Sequence, residues 1–234
     1  MLRKQRGIRG FVEHRLAPRW FAGRYFRAGH ERGLPLNGQA GREALIRHII
    51  TSCSIELIVE TGTYMGATAE WFAGFRLPVH TVEISPLFAE FSRLRLRDKS
   101  NVVPVREYSI AFLRNLAKTM SDRRALFYLD AHWKKHLPLA GELMASLGHF
   151  RVSVAIVDDF AVPDDPGYGF DDYGVGKRLD IAYVRTSAPL PRVRVFYPAL
   201  RSGEETGARR GSVVLTCNDE LAPILASLPE LRAG

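Results

Sequence analysis

Along the chain, short apolar runs alternate with stretches whose apolar residues recur every three or four positions. The runs read as strands and the stretches as amphipathic helices. A first helix is predicted over residues 42–52, where Ala44, Leu45, Ile49 and Ile50 share one side. Strands follow at 56–60, 79–84, 102–105, 125–130 and 152–158, with helices between them at 67–74, 87–96, 110–118 and 139–147. The runs Ala125-Leu126-Phe127-Tyr128-Leu129 and Val152-Ser153-Val154-Ala155-Ile156-Val157 are apolar almost throughout, as strands covered on both faces are. This alternation predicts a doubly wound, mainly parallel α/β sheet. Beyond residue 160 the pattern changes. Residues 164–176 are rich in Gly, Pro and Asp and read as a loop, and residues 175–184 as a helix. Strands at 192–197 and 212–217, joined by the polar stretch 201–211, predict an antiparallel edge.

With 234 residues, 46% of them hydrophobic and 25% charged, the chain is expected to bury one sizeable core. No apolar run reaches the roughly 18 residues of a membrane span, and the N-terminus lacks the apolar stretch of a secretory leader. Cys53 and Cys217 stand alone, which fits a reducing, cytoplasmic setting with no disulfide framework.

Charge divides the chain. Residues 1–33 hold nine Lys/Arg against Glu13 and Glu31, which is +7 of the net +8. The break at Gly33-Leu34-Pro35-Leu36-Asn37-Gly38 separates a basic N-terminal helical arm, residues 1–38, from a domain over residues 39–234. The arm carries Phe11, Trp20, Phe21, Tyr25 and Phe26 among its cations. Such a segment suits packing on its own domain or on the partner of a homo-oligomer. It also suits peripheral contact of residues 1–33 with an anionic membrane surface; nucleic acid is the weakest of these partners.

Chemistry is expected beyond the carboxyl ends of the parallel strands. The first strand runs into Glu60-Thr61-Gly62-Thr63-Tyr64-Met65-Gly66, and the second ends at Glu83, 21 residues after Gly62. Glycines there let backbone N–H groups approach a ligand, and an acid at that distance suits ribose hydroxyls. Nicotinamide dinucleotides and S-adenosylmethionine share this layout. A dinucleotide fingerprint places a second glycine under the pyrophosphate. Counted from Gly62, that position is Tyr64, whose bulk disfavours a pyrophosphate but not a phosphate-free ligand.

Glu60-x-Gly62-x-x-x-Gly66 resembles the first motif of the class I S-adenosylmethionine-dependent methyltransferases, and Glu83 resembles their ribose-binding acid. The resemblance implies a Rossmann-like, seven-stranded sheet with an antiparallel edge strand. It implies cofactor contacts from Glu60, Thr61, Gly62, Thr63, Tyr64, Gly66, Glu83, Ile84, Ser109 and Asp130. Leu129-Asp130-Ala131-His132-Trp133-Lys134 followed by Asp158-Asp159 further resembles the magnesium-dependent O-methyltransferases of the catechol and macrocin types. In those families one acid ends strand four and a pair ends strand five. The implied Mg²⁺ ligands are Asp130, Asp158 and Asp159, and the implied reaction is methylation of a hydroxyl on a small-molecule or glycosidic acceptor.

A base must take the hydroxyl proton. Catechol-type enzymes carry Asp-His-Trp-Lys with Lys as base, whereas this chain has one more residue, Asp130-Ala131-His132-Trp133-Lys134. His132 stands ahead of Lys134 because histidine titrates nearer neutrality. Adjacent Asp158 and Asp159 face opposite ways in a regular strand, so their joint use needs the strand to end between them. A metal-independent methyltransferase of the same fold, a noncatalytic nucleotide-binding module docking through the arm, and a dinucleotide oxidoreductase are the competing readings. The loop at 164–176, with its glycines and aromatics, is expected to wall or cover the ligand.

Overall fold

Five parallel strands carry the fold: β1 (Leu57–Thr61), β2 (Val79–Glu83), β3 (Val102–Arg106), β4 (Arg124–Leu129) and β5 (Val152–Asp158). The structure is a computed structural model that describes Gly23, residues 33–133 and residues 136–234. Helices α1 (Ala40–Ser52), α2 (Ala67–Ala73), α3 (Pro86–Arg95), α4 (Ser109–Met120) and α5 (Leu139–Leu147) alternate with the strands. Then come α6 (Ile181–Ser187), β6 (Arg194–Pro198), β7 (Ser212–Thr216), α7 (Leu221–Ala226) and β8 (Leu231–Ala233). The strand order is β3-β2-β1-β4-β5-β7-β6-β8. β7 pairs antiparallel with both β5 and β6, and β8 pairs antiparallel with β6.

The doubly wound, mainly parallel sheet matches its expectation, with one strand more than seven. The antiparallel strand β7 lies inside the sheet, and the short β8 forms the edge. α6 begins at Ile181, later than the pattern at 175–184 predicts. Gly174 and Gly176 take φ of 104° and 69°, which breaks a helix, and the Asp180 carboxylate accepts the Tyr183 N–H at 2.9 Å to start one.

Side-chain alternation builds two cores. Leu57, Val59, Phe127 and Leu129 face α4 and α5, against Phe112, Leu113 and Leu143. Ile58, Leu126, Tyr128 and Ile156 face the other way, against Leu45, Ile49 and Phe72 of α1 and α2. Each fully buried Leu or Phe contributes about 1.5–3 kcal/mol. The packed unit reaches back into the predicted arm. Leu36, in the 3₁₀ turn Pro35–Gly38, is buried, and its N–H donates to Thr68 Oγ1 at 3.1 Å. The rest of the arm, Gly23 apart, lies outside the described residues, so its proposed helix and surface contacts do too. Among the described residues no helix is long and apolar enough to cross a membrane.

Chain order reverses direction between β1 and β4. The carboxyl ends of these two strands therefore border the crevice where ligands bind in open α/β sheets.

Candidate active site

The turn after β1 is shaped by close backbone approach. Gly62 has φ +82°, and a Cβ built on it would lie 2.1 Å from the Asp130 carbonyl oxygen. Only glycine lets the ends of β1 and β4 come this near. Tyr64 also takes a positive φ, 48°, and its N–H donates to Glu83 Oε2 at 2.8 Å. Glu83 Oε1 accepts the Ser85 N–H at 2.8 Å. Glu83 thus ties the turn after β1 to the turn after β2.

A cleft of about 340 Å³ opens beside this turn, lined among others by Glu60, Gly62, Thr63, Tyr64 and Asp130. Five of the sequence-predicted cofactor residues are therefore gathered on one wall. Gly66 sits behind the turn as the left-handed cap of α2, against Ser92. Ile84 is 42% exposed beyond the end of β2. Thr61 and Ser109 depart from expectation: both are buried and turn inward toward Glu142. Thr61 follows Leu57 and Val59 on the α4–α5 face of β1, away from the cleft.

Glu60 is buried, and the Thr81 hydroxyl donates to it at 2.5 Å. Burial pushes its carboxyl from an ordinary 4.5 up to about 8; the Thr81 hydrogen bond opposes the shift and the Glu83 charge adds to it.

The acids at the ends of β4 and β5 divide differently from the sequence expectation. Asp158 continues the face of Val154 and Ile156, which is the α1 face. There its carboxylate pairs with the buried Arg42 guanidinium. It also accepts from Tyr128 Oη at 2.6 Å, Asn37 Nδ2 at 3.0 Å and the Asp159 N–H at 2.8 Å. Asp158 lines the cleft with Asp130, but its carboxylate is paired within the scaffold and is not one of the three ligand atoms that converge. The strand ends at Asp158, and Asp159 takes φ +54°. That turn brings Asp159 to His132 and Arg210.

In place of Asp158 stands His132. Asp130, His132 and Asp159 offer three ligand atoms that lie within 4.8 Å of one another. His132 Nε2 is 3.7 Å from Asp130 Oδ1 and 3.7 Å from Asp159 Oδ2. These spacings exceed hydrogen-bond range. Around one ion with bonds of about 2.1 Å, neighbouring donors sit roughly 3 Å apart and opposite ones roughly 4.2 Å. Closing by roughly 0.6–0.7 Å would suit the ion. The His132 side chain has no solvent exposure, and neither ring nitrogen has a hydrogen-bond partner. Buried unpaired polar atoms are rare, so the residues present fit a cation ligated through the imidazole.

Asp130 opens onto the cleft with 37% of its side chain exposed. Crowding by protein on its other sides, then repulsion from Asp158, Asp159 and Glu60, holds its carboxyl well above the usual range. Asp159 goes the other way. Burial alone would raise it, but interactions with His132 and Arg210 hold it below its usual value.

Three residues that the sequence reading left aside complete the site. Arg42 is the counter-ion of Asp158. Arg210 pairs with both Asp159 and Asp171; it sits just ahead of β7, in a stretch whose charges carried no readable pattern. Glu142 on α5 is fully buried, and burial raises its carboxyl above the usual range, opposed by the nearby Ser109 and Thr61 hydroxyls. Lys134, the alternative base, lies outside the described residues. The loop at 164–176 forms a packed wall: Tyr168 is buried with its hydroxyl on the Leu200 carbonyl at 3.0 Å, and the Asp171 N–H donates to the Asp159 carbonyl at 2.9 Å. The Tyr173 ring lies edge-on to His132, with centroids 6.4 Å apart.

No protein-family model and no curated protein matches the sequence. Solved structures match its fold. The O-methyltransferase TomG of Streptomyces achromogenes, involved in tomaymycin synthesis and solved with S-adenosylmethionine, aligns at 17% identity and TM-score 0.56, over 89% of this chain and 93% of its own. An O-methyltransferase of Bacillus cereus with S-adenosylhomocysteine aligns at 16% identity and TM-score 0.54, over 86% and 91%. A methyltransferase of Podospora anserina with S-adenosylhomocysteine aligns at 17% identity and TM-score 0.52, over 93% and 96%. With its strand order, its glycine turn and these likenesses together, the chain has the Rossmann-like fold of the class I S-adenosylmethionine-dependent methyltransferases.

Proposed function

We propose that the chain is an S-adenosylmethionine-dependent O-methyltransferase. Asp130, His132 and Asp159 hold a divalent cation, and the acceptor is a hydroxyl on a small molecule or sugar. The observation that carries this reading is the convergence of those three ligand atoms within 4.8 Å at a residue, Asp130, that also lines the cleft beside the glycine turn. The sequence resemblance implies Mg²⁺. An imidazole donor among two carboxylates favours Mn²⁺, Co²⁺ or Zn²⁺ over Mg²⁺, which prefers oxygen ligands.

Methyl transfer is an in-line displacement, so alignment supplies much of the rate. Here the turn from Gly62 to Gly66 would receive the methionine end of the donor, and Asp130 borders both reactants. A cation at the three-residue site would lower the proton affinity of an acceptor hydroxyl. Asp159, kept ionised by Arg210, supplies negative charge there. The loop carrying Tyr173, edge-on to His132, would shield that side of the site from water, which favours the charge-neutralising meeting of an anionic oxygen with a sulfonium. His132, taken as a ligand, leaves Lys134 as the candidate base.

Calorimetry with S-adenosylhomocysteine and a turnover screen over hydroxylated acceptors, with and without EDTA, test the reading. Binding of S-adenosylhomocysteine with EDTA-sensitive turnover is expected. Turnover indifferent to EDTA and to Asp159→Ala would leave the metal-independent enzyme. Failure to bind S-adenosylhomocysteine would overturn the methyltransferase reading.

A further inference from the structure

Large apolar side chains that the fold leaves in water gather at one end of the molecule. Leu34 is 72% exposed, Tyr108 64% and Trp133 66%, and Val175 is fully exposed. All four lie at the carboxyl end of the parallel strands. Leu34 lines the cleft beside Gly62 and Asp130. Tyr108 stands between β3 and α4, and its ring centroid is 6.4 Å from that of His136. Trp133 follows β4, where its backbone exchanges two hydrogen bonds with His136, at 2.9 and 3.0 Å. Val175 is in the loop after β5, at the tip of a small hairpin. There the Lys177 N–H donates to the Gly174 carbonyl at 2.9 Å, and the Tyr173 N–H to the Lys177 carbonyl at 3.2 Å. Among the described residues the connections at the amino end of the sheet carry no such side chain; Val103 and Met144, also exposed, sit within β3 and α5.

Each of the four stands within two positions of a cation. Arg32 precedes Leu34, Arg106 precedes Tyr108, Lys134 and Lys135 follow Trp133, and Lys177 follows Val175. Arg106 and Lys177 are themselves exposed. Residues 1–33, with +7 of the net charge, join the domain at this same end. Two acids found there, Asp159 and Asp171, are paired with Arg210.

Scattered exposed apolar residues are ordinary, but a group of them at one end marks a contact surface. An apolar tip beside a Lys or Arg suits a bilayer interface. The apolar part enters the boundary between headgroups and acyl chains, and the cation meets anionic headgroups. A second copy fits less well, because protein interfaces are depleted of Lys and a two-fold copy would bring like charges together. Nucleic acid fits less well too, since Leu34 and Val175 offer nothing to a phosphate.

We propose that the carboxyl end of the sheet is a membrane-docking surface. Leu34, Tyr108, Trp133 and Val175 enter the headgroup layer of an anionic bilayer, and the neighbouring cations, with those of residues 1–33, hold its negative lipids. The docking does not depend on the chemistry proposed above. The cleft would then open toward the lipid.

The test uses the full chain and sedimentation with vesicles of phosphatidylcholine, with and without phosphatidylglycerol. Binding is expected only with phosphatidylglycerol and should weaken as salt rises. Val175→Asp changes an exposed tip and leaves the core untouched. It should weaken binding about 10-fold or more, from the lost valine burial and the added repulsion. Lys177→Gln should weaken it about 5-fold. Both variants should keep the parent's melting temperature. Depth is read by fluorescence in a Trp20→Phe background, where Trp71 packs against Phe72 and Phe75 on α2 and its C-terminal side. Brominated acyl chains should quench the emission, and adding Trp133→Phe should remove that quenching. Absence of binding to anionic vesicles overturns the proposal. Binding that Val175→Asp leaves unchanged, or an unquenched Trp133, overturns it as well and assigns the contact to residues 1–33 alone. A dimer that Val175→Asp dissociates in sedimentation velocity, or transfer-RNA binding that it weakens, would give the surface to that partner instead.

Discussion

Replacing Asp158 separates scaffold from chemistry at the end of β5. Asp158→Asn leaves the Arg42 guanidinium, 2% exposed, with the Tyr128 hydroxyl and the Arg210 carbonyl but no counter-charge. Removing one partner of a buried ion pair costs about 3–5 kcal/mol. Arg42→Met is milder, because Asp158 keeps three donors: Tyr128 Oη, Asn37 Nδ2 and the Asp159 N–H. We expect a loss of about 2–3 kcal/mol there. The double variant buries neither charge, so its loss should fall short of the sum by about 2 kcal/mol. In a domain of this size the Asp158→Asn loss lowers Tm by roughly 10 °C. Urea unfolding and thermal melts at neutral pH measure these quantities, and Mn²⁺ titration of the same samples measures the site. Asp158→Asn should bind Mn²⁺ within about threefold of the parent, under 1 kcal/mol. A fully stable Asp158→Asn protein that has lost the ion would refute the reasoning, because Asp158 would then be a ligand and not the anchor of Arg42.

Three further outcomes follow from the same geometry. Gly62→Ala must place a methyl 2.1 Å from the Asp130 carbonyl at φ +82°; stability should fall by about 2–4 kcal/mol with S-adenosylhomocysteine binding lost, and a neutral variant by urea titration and calorimetry would contradict the packing. Glu60, with its carboxyl raised from 4.5 to about 8, keeps its proton when folded over a range where the unfolded chain has released it. Stability should therefore be fullest below pH 4.5 and fall toward pH 8, by up to about 1.4 kcal/mol per pH unit. Glu60→Gln should flatten that slope in urea titrations across the range, and parallel slopes would count against the assignment. Arg210→Met frees Asp159 and Asp171 together, and limited proteolysis should then cut within residues 164–176 faster than in the parent; unchanged cutting would mean the arginine does not hold the wall.

The parallel half of the fold was legible because each strand is a dense apolar run and each helix keeps one apolar side. The Gly62–Gly66 turn was legible for a related reason: close backbone approach leaves glycine little competition. The start of α6 was not, since Gly174 and Gly176 look like ordinary loop glycines until their positive φ stops the helix before Asp180. β8, three residues long, is too short to show a period. At the site, the acids were visible as strand-end aspartates, but their division was not. Which of Asp158 and Asp159 meets His132 depends on where β5 ends, and the partner that claims Asp158 comes from α1, 116 positions away. Strand parity did carry a signal, because Asp158 shares its side of the sheet with Val154 and Ile156. Glu142 was hidden by its helix, where one acid in an apolar stretch reads as a solvated position.

Arg210 donates from Nε to the Asp159 carboxylate and from Nη2 to the Asp171 carboxylate of the neighbouring wall. An ion at Asp159 and an acceptor resting against Asp171 would then draw on the same arginine. Their affinities would be linked, and the linkage is reciprocal: whatever factor the acceptor applies to ion binding, the ion applies to the acceptor. Selectivity for one acceptor over another could thus be set partly by how each repositions a residue that touches neither reacting atom.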